Sequence, residues 1–214
     1  MSDIFQEVEE DLRRDNLAKL WRRYGKYAIA VAVAVVIATA GFSAWREYRH
    51  RQSAAEGVRF ADALDLVRAG KDKDAADAFA ALAGTAGGGH ATLARFEEAA
   101  LRARSGDRDV ALGLYDKLAA DSSTDEIYRE AAALLGARIA LDQGDAAGAV
   151  QRAKPLTASG NPWRSVALEL TGAADLKSGD AAAARQAFQQ LADDPNAPAG
   201  ARQRATQMLA TLGS

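Results

Sequence analysis

The 214-residue chain contains no cysteine, so a disulfide framework and a thiolate metal site are both excluded. It has two histidines, His50 and His90, in separate polar stretches and without HExxH-type spacing. It has only four prolines, which favours helix over loop-rich or disordered structure. Charge of neither sign dominates: 27 Lys and Arg stand against 29 Asp and Glu, a net of −2. That removes the basic excess expected of a nucleic-acid-binding surface.

Catalytic signatures are missing too. Gly84 to Gly89 is glycine-rich, but no Lys-Ser/Thr pair follows to make it a phosphate loop. Asp72-x-Asp74-x-x-Asp77 lacks the sixth-position glycine and twelfth-position glutamate of a calcium loop, and is expected to cap and solvate a helix start. No G-x-S-x-G context exists. No catalytic, cofactor-binding or metal-binding residue is assigned, and the chain is not expected to be an enzyme.

One further absence is local. Between Lys26 and Arg46 no residue is ionisable at neutral pH. This run, Tyr27 to Trp45, holds 19 residues, and a membrane-spanning helix needs about 20. Tyr27 and Trp45 stand at its ends, where aromatic side chains meet the headgroups. The run is rich in alanine. Its seven Val, Ile and Phe residues contribute roughly −2 to −4 kcal/mol to insertion. A buried core helix would keep a polar face, and this run has none. A cleaved signal peptide is the other reading, with Ala38-Thr39-Ala40 as its cleavage pattern. The 26-residue length of the segment before the run, its six acidic residues, and the apolar residues after Ala40 favour an uncleaved anchor. Residues 12–26 hold six Lys or Arg and residues 46–59 hold four, which places the N-terminus in the cytoplasm and residues 46–214 outside it.

Residues 1–26 read as two helical pieces. Ile4, Phe5, Val8 and Leu12 share one face; Leu17, Leu20, Trp21 and Tyr24 share another, with the phase changing near Asp15-Asn16. The acidic character of the first piece suits a protein partner or solvent better than anionic lipid.

The remainder repeats. Aligned on Gly70, Gly106, Gly144 and Gly179, the spacings are 36, 38 and 35 residues. Seven residues before each glycine stands Ala63, Ala99, Ala137 or Gly172. Five after stands Ala75, Ala111, Ala149 or Ala184; nine after, Phe79, Tyr115, Ala153 or Phe188; twelve after, Leu82, Leu118, Leu156 or Leu191. Three of the glycines precede an Asp.

The pattern describes a helical hairpin. Glycine closes the first helix in a left-handed conformation, and Asp caps the second. Small residues let the two backbones approach, while the aromatic and Leu positions fill the space between hairpins. Polar or Gly/Pro-rich turns separate hairpins at about 52–83, 91–120, 126–158 and 162–193, with Asn161 as a cap and Pro162 in the first turn of the last pair. A final helix, about 199–212, has the polar side of a terminal cap.

These columns resemble the tetratricopeptide repeat. The resemblance implies an all-α fold in which hairpins stack into a right-handed superhelix. Spacings above 34, the missing early Trp and the single closing Pro, Pro195, mark the repeats as divergent. The N-terminal stretch VEEDLRRDNLAKLWRRYGKY, one span and four degenerate repeats together resemble the YfgM-like family of ancillary Sec translocon subunits of Gram-negative bacteria. That resemblance implies a cytoplasmic segment 1–26, an inner-membrane span 27–45 and a periplasmic repeat domain 46–214. It implies Sec translocon subunits and periplasmic chaperones as partners, and a role in assisting newly translocated proteins.

First helices of stacked hairpins line the concave side. By offset from the glycines, Phe60, Leu64, Phe96, Leu134, Arg138 and Glu169 are the candidate partner groove. The apolar members equally suit packing between hairpins, while Arg138 and Glu169 must face water or a partner. The alternative is a cell-envelope assembly or division scaffold secreted after signal cleavage.

Overall fold

A computed structural model describes the backbone of residues 3–213, and the side chains from Trp21 onward except those of Ala28 and Ala32. The chain divides into two compact units, Met1–Ala54 and Ala55–Ser214. Among the described residues every regular element is helical.

Helix α1 runs unbroken from Asp3 to Arg68. It passes through Asp15-Asn16, so the expected interruption there is corrected. The apolar phase changes, but neither residue is a Pro or Gly that would break the backbone. The expected faces built on Ile4 to Leu20 lie outside the described side chains. Within α1, the valines and isoleucines of the apolar run are exposed, and none of its most apolar window is buried in protein. This is the one helix, among the described residues, long and apolar enough to cross a membrane.

In the second unit, the end of α1 pairs with α2 (Asp72–Thr85). Three further hairpins follow. They are α3 (Gly88–Arg104) with α4 (Arg108–Ala120), α5 (Glu126–Gln143) with α6 (Ala146–Ala153), and α7 (Arg164–Ser178) with α8 (Ala181–Ala192). Helix α9 (Ala199–Leu212) packs on α8, burying Ala201 and Ala205 and exposing Gln203, Arg204 and Gln207. Each helix lies against the next in sequence, as in a stack of hairpins.

The repeat columns have one structural meaning in all four hairpins. Gly70, Gly106, Gly144 and Gly179 have φ of 70°, 94°, 93° and 86°, the left-handed region open to glycine. The residue after each glycine donates its N–H to the carbonyl five positions earlier: Lys71 to Leu66, Asp107 to Arg102, Asp145 to Ala140 and Asp180 to Asp175, at 2.9–3.0 Å. This is the Schellman closure. The same residue's carbonyl then accepts from the column alanine, Ala75, Ala111, Ala149 or Ala184, opening the second helix. Those alanines, and all the column aromatics and leucines, are buried.

Capping is less uniform. Asp145 accepts from Gly148 N and Asp180 from Ala183 N, whereas Asp107 makes no side-chain cap. Helix α6 stops at Ala153, short of the expected 158, and a single 3-10 turn spans Lys154–Thr157. Pro155 is the cause, since it has no N–H to donate to the helix; Lys154 keeps helical angles and opens the 3-10 turn. Asn161 accepts from Trp163 N at 2.7 Å, an Asx turn just ahead of the α7 start at Arg164.

Candidate protein-interaction cleft

Helices α5 and α7, the first helices of consecutive hairpins, touch directly. Between them opens a cleft of about 550 Å³. From α5 it is lined by Leu134, Leu135, Arg138, Leu141 and Asp142, positions that share a helical face. From α7 it is lined by Val166, Glu169, Leu170 and Ala173, again one face. Leu134 is buried and forms the floor, in the same core cluster as Ala137, Ala153, Leu156 and Ala167. Leu135 and Val166 are 42% and 44% exposed and form the apolar walls.

Two charged pairs border the cleft. Arg138 Nε donates to Asp142 Oδ1 at 3.2 Å along α5. Arg204, on α9, donates from Nε and Nη2 to the two carboxylate oxygens of Glu169, each at 2.7 Å. That fork raises the Arg204 pKa through the hydrogen bond to Glu169 and fixes the carboxylate at the rim. A second hollow, about 410 Å³, is bordered by the charged residues Arg95, Glu98, Lys117 and Asp121. Burial holds the Glu98 carboxyl above its usual range, opposed by the Arg102 guanidinium.

Of the sequence-derived groove residues, the structure brings Leu134, Arg138 and Glu169 together. The other three lie in core packing elsewhere in the stack. Phe60 meets Phe79 edge-on at 5.0 Å, and Leu64 packs on the same cluster. Phe96 lies between Tyr115 and Tyr128, at 5.9 and 6.3 Å. The offset rule placed these side chains on first helices correctly. It did not separate the face turned to the neighbouring second helix from the face turned away.

Leu135 and Val166 were missed. The signal for Leu135 was its neighbour: successive helical residues point about 100° apart, so with Leu134 buried in the core, Leu135 falls at the edge of the same stripe, where it is exposed. Within the second unit seven large apolar side chains are exposed, and six stand on first helices: Val58, Leu93, Ile127, Tyr128, Leu135 and Val166. Only Val110 stands on a second helix. Among the described residues no cluster of three or more His, Asp or Glu could hold a metal ion. Asp72 and Asp77 are engaged by Arg104 and Arg102, bridging α2 to α3, instead of capping α2.

Hairpins of this kind, with an apolar face concentrated on their first helices, define a helical-repeat protein of the interaction class. The model of the tetratricopeptide repeat-like domain matches residues 18–212, and the chain belongs to that family. No curated protein and no solved structure matches it.

Proposed function

We propose that this chain is a membrane-anchored scaffold that docks other proteins on the first-helix face of its repeat unit. The observation that carries the reading is the segregation of exposed apolar residues onto first helices, centred on the α5–α7 cleft. Solvent does not stabilise such a face; a protein partner burying Leu135 and Val166 does. The span is Tyr27–Trp45, with residues 1–26 cytoplasmic and the repeat unit on the far side of the bacterial inner membrane. The modest excess of cations before the span supports that orientation.

The resemblance of the juxtamembrane segment and of the whole layout gives the partners: Sec translocon subunits and periplasmic chaperones. The protein then assists chains emerging from the channel. A photo-crosslinking residue at Leu135, in intact membranes, tests this by mass spectrometry of the adducts. Translocon or periplasmic folding factors are expected. Adducts confined to division or outer-membrane assembly proteins would replace this reading with that of an envelope scaffold.

A further inference from the structure

At the C-terminal end of the apolar run, Trp45, Arg46 and Arg49 are all exposed. Arg49 lies over the Trp45 indole, its Cζ 4.9 Å from the ring centroid. A cation–π contact of this kind attracts the guanidinium's charge without supplying a hydrogen-bond acceptor for its N–H donors. Arg46 and Arg49 are three residues apart, so they are neighbours on the helix surface. The adjacent carboxylate, Glu47, is held by Arg51 at 2.7 Å. Among the described residues neither Arg46 nor Arg49 has a carboxylate partner. Two arginines at an apolar–polar boundary therefore present donors with no anion among the described residues to receive them. They also oppose the orientation rule, which favours few cations on the far side of the span.

We propose that Arg46 and Arg49, set at headgroup depth by Trp45, bind the phosphate of an anionic glycerophospholipid in the leaflet at this end of the span. The inference rests on the membrane-spanning reading. A headgroup phosphate supplies the acceptor oxygens that two guanidiniums match, and its acyl chains lie along the apolar run below. Trp45 fixes the depth because its indole is apolar on its body and polar at one edge. Arg51, tied to Glu47, adds no net charge to the site.

The test uses the full chain reconstituted in nanodiscs of equimolar phosphatidylcholine and phosphatidylglycerol, with retained lipids counted by native mass spectrometry. The wild type is expected to retain phosphatidylglycerol preferentially. R46Q/R49Q is expected to lose that preference by roughly tenfold or more. A charge-matched control in the repeat unit, R59Q/R108Q, is expected to keep it. Excess inorganic phosphate is expected to leave the lipid in place. No preference in the wild type, equal loss in the control, or displacement by inorganic phosphate each overturns the proposal. Alkaline carbonate extraction separates the two readings. A chain released by carbonate sinks the span and this site together, whereas a chain that stays without lipid preference sinks only the site.

Discussion

Gly172 shows how closely single residues are fitted. A Cβ built there would stand 2.8 Å from Phe188 Cζ and 2.9 Å from Cε2, inside any real contact distance. Phe188 is buried and cannot swing away. Gly172→Ala gains about 1 kcal/mol of helix propensity but forces overpacking that costs about 1–3 kcal/mol. A net loss of stability is expected in urea titrations, and the companion variant G172A/F188L should recover part of it. The other three hairpins carry alanine at this position, so the sequence column showed that the site is small but not that this one tolerates no methyl. In the third hairpin Ala153 replaces the ring, and Trp163 packs on the cluster that holds it.

Tyr115 gives a residue-scale test with a definite sign. Burial, with the Glu97 carboxylate adding to it, pushes its hydroxyl from the ordinary 10 up to about 12. The folded chain therefore holds this proton after the unfolded chain has released it. The contribution is intact below pH 10 and is lost as pH rises from 10 towards about 12. Melting curves between about pH 8 and about pH 11 should fall more steeply for the wild type than for Tyr115→Phe, by on the order of 1–2 kcal/mol at the alkaline end.

At the scale of elements, each hairpin is joined to the next by polar contacts as well as by its core. Arg152 Nε and Nη2 donate to Asp116 at 2.8 and 2.7 Å, linking α6 to α4, and Nη1 also reaches the Gly148 carbonyl. Because Asp116 is half exposed, solvent screening limits the pair. A double-mutant cycle on D116N and R152Q should give a coupling of about 0.5–1 kcal/mol, shrinking in high salt. A second recurring contact joins each first helix, or the turn ahead of it, to the turn that follows a hairpin. Glu56 accepts from Gly87 N, Arg95 donates to Asp121, Asn161 to Glu130, and Arg164 to Asp194.

The helix-closing glycines were legible in the sequence because their requirement is local, a positive φ followed by a short turn. The polar links were not, because their partners lie 26 to 31 residues apart and differ in residue type from hairpin to hairpin. The early end of α6 was legible in principle, since Pro155 is a local signal; the repeat register simply outweighed it. The continuity of α1 through Asp15-Asn16 shows the opposite error, a change of apolar phase read as a break in the backbone.

For the whole molecule, two properties meet in one chain: an apolar run exposed on α1 and a repeat unit with an apolar face on its first helices. The run is only moderately apolar, so one charge at its centre offsets most of its insertion energy, at about +2.5 to +3.5 kcal/mol. Val35→Arg should move the protein from the carbonate-resistant membrane fraction to the soluble fraction. Continued partitioning with the membrane would contradict the span.

The residues of the proposed docking face were partly legible. Arg138 and Glu169 could be placed because charge has to leave the core, and Leu134 because its helix was identified. Phe60, Leu64 and Phe96 could not be told from groove residues, because a first helix turns apolar side chains both inward to its own hairpin and outward to the face. Only the packing of the second helices decides between them. The central claim is that this face docks proteins, and partner capture tests it most directly. Full-length wild type and the L135E/V166E variant, crosslinked in membranes and purified, should show similar melting temperatures, since both side chains are nearly half exposed at the cleft wall. The variant is predicted to lose its captured proteins by about tenfold or more, as charges enter an apolar contact. Undiminished capture by a stably folded L135E/V166E variant would contradict the account.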